Sequence, residues 1–315
     1  MQFSLAAETS RVLDVLPENE PLAVAFSGGA DSTATAAVLL NLLRGRGETD
    51  RLRLYTLSIG GGSDLASARA GARALGAEEL WEAIEAPPAV LDLNAAVRTL
   101  EDYRPLDVAC GAVMRAFLSA LRSRRPDLVF IFDGDGGDEN WKAYPVEDSD
   151  LTIHSVLANP LLYHEGWGVD SIKHSLTYSG GLSRGVVRGF APAREFGFRL
   201  ISPHTLRPVI TAALAAPLSE LVGEDVRKLY ALKGEVVRAG LAFLGFEIAI
   251  APKKRFQEGA TATEVFRNRL VRSRAELRRI FEDQYRPAFP QKGHEAPQSP
   301  FLSDARIPRG AEPLA

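Results

Sequence analysis

Ser27-Gly28-Gly29-Ala30-Asp31-Ser32 follows a short apolar run, Leu22 to Phe26, and leads into a helix-forming stretch. A strand that empties through Ser-Gly-Gly into a helix N-terminus is suited to phosphate. The glycines let the main chain approach closely, and several N–H groups and the helix dipole face one anion. No Gly-Lys-Ser/Thr follows, which excludes the Walker arrangement. Further on, Leu128 to Phe132 runs into Asp133-Gly134-Asp135-Gly136-Gly137-Asp138-Glu139. Carboxylates packed this closely repel one another. The cluster makes chemical sense where a hard cation neutralises it, since magnesium takes one or two carboxylates together with phosphate oxygens. Taken alone, it reads equally as a polar, glycine-rich surface turn.

Both motifs need elements that hold them. Short apolar runs at Leu22–Phe26, Leu52–Ile59, Leu80–Ile84 and Leu128–Phe132 read as buried strands, with helical material between them. That alternation predicts a parallel sheet built from βαβ units. Helices are expected over Ser4–Leu16, Asp31–Leu43, Asp64–Leu75 and Asp107–Arg122. Gly45 should stop the second, Ser63 should cap the third and Gly76 should end it. After Tyr144 helical patterns dominate, around Val209–Leu214, Val226–Leu244 and Val265–Ile280. The chain therefore divides into an α/β core over about residues 1–145 and a mostly helical part over 146–284. A Pro- and Gln-rich tail, 285–315, lacks periodicity and reads as extended or loosely attached.

Composition narrows the class. The 315 residues are 46% hydrophobic and 24% charged, as expected of a globular protein with a sizeable core. No apolar run has membrane-spanning length, and no signal-like segment opens the chain, so a cytoplasmic location is expected. The single cysteine, Cys110, lies on an apolar helix flank and reads as a small buried side chain. The five histidines form no zinc-type spacing. Residues 1–180 carry 15 Lys/Arg against 26 Asp/Glu, whereas residues 181–280 carry 18 against 9. An acidic half facing a basic half suits a cleft where cations and a polyphosphate meet, although solvated arginine-rich helix faces account for many of these charges.

The Ser-Gly-Gly-x-Asp-Ser loop resembles the PP-loop of N-type ATP pyrophosphatases. Together with Gly134-Asp135-Gly136-Gly137-Asp138-Glu139, then Trp141 and Tyr144, it resembles the synthetase domain of asparagine synthetases and their relatives, the β-lactam and carbapenam synthetases. Ser58-Ile59-Gly60 with Ser63-Asp64-Leu65, the Pro203–Pro217 spacing, and Lys253-Lys254-Arg255-Phe256-Gln257-Glu258-Gly259 extend the likeness over residues 5–280. The resemblance implies an adenine nucleotide α-hydrolase-like (HUP) fold, a parallel sheet with helices on both faces followed by a helical region. It also implies an ATP-dependent amide synthetase that adenylates a carboxylate, releases pyrophosphate and passes the acyl group to an amine.

On that resemblance, Ser27, Gly28, Gly29, Ser32 and Gly134 bind ATP and the departing pyrophosphate, and Asp31 and Asp138 hold Mg²⁺. Asp31 reads otherwise as a helix-start residue. Ser58 falls where the family holds adenosine, or is a simple strand-end hydroxyl. Lys253 aligns with the family's catalytic lysine, although Lys253-Lys254-Arg255 also reads as solvated surface. Asp135 stands where relatives carry a glutamate assigned to deprotonate the amine. One methylene shorter, it implies a closer nucleophile, a water relay or a lost role.

The family's glutaminase domain has no room ahead of Ser27. The resemblance then expects ammonia from solution or from a separate glutaminase or ammonia-supplying subunit, or an amine that belongs to the substrate. Lys142-Ala143 replaces Gly-Gly, and Leu206 stands where the family has an aspartate. The expected partners are a small carboxylic acid and an amine in specialised biosynthesis, with homo-oligomerisation left open and no membrane. Two other readings compete. One is a PP-loop enzyme that adenylates a tRNA base, suggested by the basic stretch Arg267–Arg279 and opposed by the lone cysteine and acidic N-terminal half. The other is a non-catalytic synthetase-like subunit.

Overall fold

The computed structural model describes residues 2–143, 152–158, 186–249 and 255–286. Five parallel strands form one sheet: β1 (Leu22–Ala25), β2 (Leu52–Ile59), β3 (Trp81–Ala86), β4 (Phe130–Phe132) and β5 (Arg199–Ile201), in the order β3-β2-β1-β4-β5. β1 is central, with Leu22 in register with Leu52 on one side and Phe130 on the other. The strand order reverses there, and in open parallel sheets ligands bind beyond the strand ends at such a point.

Alternation along β1 builds two cores. Leu22, Val24 and Phe26 join a cluster with α1 (Gln2–Val15), α2 (Ala30–Arg46) and α3 (Asp64–Ala74), and Val237 and Leu241 of the helix Val226–Phe243 close it. Ala23 and Ala25 face the opposite cluster, formed with α4 (Leu93–Leu100) and α5 (Pro105–Arg124). Helices therefore cover both faces. Apolar residues on both sides of the central strands are what parallel pairing demands, while β3 at the edge exposes Glu82 and Glu85.

Most expected elements form close to their expected bounds, with local differences. The second helix runs through Gly45 to Arg46, because the tertiary packing of Leu39, Leu40 and Leu43 outweighs one glycine's entropy. Ser63 has helical dihedrals and its side chain does not cap α3. The last helix, Arg274–Tyr285, is capped by a reciprocal Ser273–Glu276 box. The larger departure is β5, which comes from the stretch read as helical and pairs with β4, Phe130 to Arg199. The sheet is thus completed by residues on both sides of the expected boundary at 145.

Among the described residues, no helix is long and apolar enough to cross a membrane. Tyr144, Lys253, Lys254 and nearly all of the expected tail lie outside the described residues.

Candidate active site

The loop after β1 turns back on itself through hydroxyls. Ser27 and Ser32 Oγ atoms lie 3.1 Å apart, Gly29 N–H donates to Ser27 Oγ (3.3 Å), and Ser32 Oγ donates to Gly29 O (3.2 Å). Gly28 sits at φ +75°, and a Cβ there would lie 2.5 Å from the Ser67 carbonyl carbon of α3. Only glycine lets the loop pass so close to that helix. Gly29 caps α2 through its backbone alone, leaving the helix N-terminus free of a side-chain acceptor. Ser27, Gly29, Asp31 and Ser32 line a cavity of about 840 Å³ at the strand ends, in the size range of small-molecule sites. Gly28 does not line it.

The acidic motif meets this loop across the β1–β4 junction. A Cβ on Gly134 would lie 2.6 Å from Ser32 N, and one on Gly137 would overlap Asp31 Oδ1 and sit 2.5 Å from its Cγ. The glycines therefore allow the two motifs to close on each other. Short helix α6 (Gly137–Trp141) then presents Asp138 to the same cavity. Lys233, on the helix Val226–Phe243, reaches between the carboxylates: its Nζ lies 2.8 Å from Asp31 Oδ2 and also contacts Asp138 Oδ1. Burial would lower this ammonium's pKa, but Asp31 and Asp138 outweigh it and hold the lysine above its ordinary range.

These carboxylates suit a magnesium-bound polyphosphate. They already share one cation, and Asp31 Oδ1 is buried without a hydrogen-bond partner among the described residues. Among those residues no three His, Cys, Asp or Glu side chains converge as a self-sufficient metal cage. Magnesium on a nucleotide needs only one or two carboxylates beside phosphate oxygens.

Asp133 is buried, and Asp135 is half-buried at the cavity wall. Asp133 is anchored through its backbone, N–H to Ile201 O (3.1 Å) and C=O to Thr35 Oγ1 (3.0 Å), so β5 and α2 both fix the motif. Burial, then the neighbouring Asp135 charge, pushes the Asp133 carboxyl up to about 8. Burial also raises Asp135. Arg188 opposes that shift, while Asp138 and Asp31 reinforce it.

Away from the carboxylates the cavity continues as an apolar recess between the sheet and α5. Ala25, Tyr55 and Leu57 form its floor; Leu106, Cys110, Met114 and Phe117, recurring on one face of α5, form its roof. Burial pushes the Cys110 thiol up to about 11, and its S–H donates to Gln257 Oε1 (3.3 Å), which suits the structural role expected for it.

Of the site residues expected from sequence, Ser27, Gly29, Asp31, Ser32, Gly134, Asp135 and Asp138 come together around one cavity. Ser58 does not join them: it is buried and its hydroxyl accepts from Gly62 N–H (3.0 Å), pinning the turn after β2. Lys253 lies outside the described residues. Sequence reasoning missed Lys233, although the signal exists: it stands four residues after Leu229 and four before Val237, on the buried stripe of its helix.

The family model for asparagine synthase matches residues 12–239, which include the loop, the acidic motif and Lys233. The chain belongs to the asparagine synthase family. Asparagine synthetase [glutamine-hydrolyzing] of Gallus gallus is 29% identical over 119 residues, 38% of this chain. The chain spans 21% of that relative's length. The five-stranded sheet with helices on both faces is consistent with a HUP-like fold.

Proposed function

We propose that this protein is an ATP-dependent amide synthetase that adenylates a small carboxylic acid and passes the acyl group to an amine. The observation that carries the reading is the convergence of Asp31, Asp138 and Lys233 beside a Ser-Gly-Gly loop at a helix N-terminus. Phosphate is bound by such N–H groups, and the mixed charges match a metal-bound triphosphate.

A carboxylate oxygen attacks the α-phosphorus, the bond to the bridging oxygen breaks, and pyrophosphate leaves into the Ser27–Ser32 loop. Two anions must meet, so positioning and fixed positive charge dominate the catalysis. Lys233 supplies that charge. Asp31 and Asp138 would hold Mg²⁺, whose chemistry is to neutralise the polyphosphate. The apolar recess under α5 is suited to the adenine ring, with Leu57 and Ala25 on one side and Met114 and Phe117 on the other.

In the second half, the amine nitrogen attacks the acyl carbon, the bond to the AMP oxygen breaks, and Asp135 takes the nitrogen's proton. Burial raises this carboxyl above its ordinary range, which strengthens it as a base. Lys253 would contribute further positive charge at the α-phosphate.

The test is ATP–pyrophosphate exchange across a panel of carboxylic acids, with RNA absent. Exchange that depends on one class of acid supports the reading. Exchange that requires RNA, or none with any acid despite ATP binding, refutes it.

A further inference from the structure

Asp107 lies on the first turn of α5, with its side chain 1% exposed, outside the cavity. Two guanidinium groups converge on it: Arg104 Nε at 3.0 Å from Oδ2 and Arg188 Nε at 3.6 Å from Oδ1. An acidic residue in a first helical turn is ordinary. One buried beside two arginines is not, because its own desolvated charge needs those counter-charges, and its removal leaves the half-buried Arg188 without this partner. Arg104 is itself fixed, hydrogen bonded through Nε to Asp102 (2.6 Å) just before Pro105 opens the helix. The other arginine, Arg188, is 17% exposed and does line the cavity, within 4.0 Å of Cys110 Sγ.

We propose that Asp107 is a positioning residue: it holds the Arg188 guanidinium at the cavity wall, facing Asp135, where the amine is to be deprotonated. The catalytic part of this role rests on the reading of Asp135 above; the placement of Arg188 does not. A fixed cation there favours the ionised carboxylate against the pull of burial and of the Asp31 and Asp138 charges. Arg104 anchors the far side of the carboxylate.

The protein carries its own reporter of this geometry, since Cys110 is its sole thiol. The charged groups that act on it are Arg188, Asp107 and Asp135, with Gln257 as its neutral partner. The rate ratio for alkylation by anionic iodoacetate over neutral iodoacetamide cancels thiolate fraction and access, and reads local charge. Arg188→Met should lower that ratio at least about threefold, the size of one unit charge removed at contact range in a wet cleft. Asp107→Asn makes the sharper case. If Asp107 holds Arg188, losing it also lowers the ratio; if it is only a nearby negative charge, the ratio rises.

A raised or unchanged ratio in Asp107→Asn overturns the proposal. Should that variant fail to fold, Asp107→Glu is read instead. Its longer carboxylate moves the guanidinium at constant charge and should lower the ratio, and an unchanged value overturns the idea. With any acid that supports exchange, Asp107→Asn should reduce kcat for amide formation at least tenfold with the KM for ATP unchanged. A rise in that KM with kcat intact would overturn the catalytic role. Failure of the whole acid panel would refute the synthetase reading while leaving the thiol result standing on its own.

Discussion

The two ends of the cavity are built on different principles. At the loop end, backbone N–H groups, two glycine-rich turns and three charged side chains meet within hydrogen-bonding distance. At the α5 end, Ala25, Tyr55 and Leu57 of the strands and a helical stripe leave an apolar recess that no short motif encodes. The first fixes where charge goes and the second what shape fits. Each glycine motif takes its backbone shape locally, whereas the recess, like the meeting of Asp31, Asp138 and Lys233, depends on packing between residues far apart in sequence.

The comparison can be broken hardest at the loop end. Asp31→Asn, Asp138→Asn and Lys233→Met should each reduce pyrophosphate exchange by about 10³-fold, the order seen when a preorganised charge is removed from a reacting site. Retained exchange in all three would show that this cluster serves only the fold. Gly137→Ala comes next. Its methyl group overlaps the Asp31 carboxylate, so urea unfolding should report about 1–3 kcal/mol of overpacking cost, and nucleotide affinity should fall with it.

At the α5 end, Met114→Trp should fill the recess and raise the KM for ATP about tenfold, equivalent to ~1.4 kcal/mol of lost binding. Initial-rate kinetics should show kcat little changed. If ATP binding is unaffected, adenine lies elsewhere.

A pH measurement sharpens the contrast further. Burial and the neighbouring Asp135 charge raise the Asp133 carboxyl from 3.8 in the unfolded chain to about 8 in the folded one. The folded state then holds the extra proton between those values, and stability contributed by this residue falls as pH rises through that window. Asp133→Asn should lack the fall, so its melting-temperature advantage should grow from pH 5 to 8 and then level off. The smallest effect belongs to the surface: Arg278→Ala, which breaks an exposed pair with Glu282, should change unfolding free energy by less than ~0.5 kcal/mol.

The same contrast explains what was readable in the sequence. The strands that flank the two glycine motifs announce themselves because apolar runs end in residues that need special backbone freedom. β5 does not: Arg199-Leu200-Ile201 is too short to show a period and sits among helical patterns. Lys233 was hidden for a different reason. A lysine between apolar positions of a long helix resembles an ordinary surface residue unless its place on the stripe is counted. Ser58 was legible as a strand-end hydroxyl, but only the turn that follows shows which group it meets. The recess under α5 needed the fold itself, since Ala25 and Phe117 acquire meaning only as neighbours.

The strand that anchors Asp133 lies at Arg199–Ile201, and the lysine between the two aspartates lies later still. During synthesis the Ser27 loop leaves the ribosome long before either of them. A nascent chain can therefore pair its first strands early, yet its carboxylates stay mutually repelling until residue 233 has emerged. Assembly of the carboxylate–lysine cluster therefore waits until Lys233 has been synthesised.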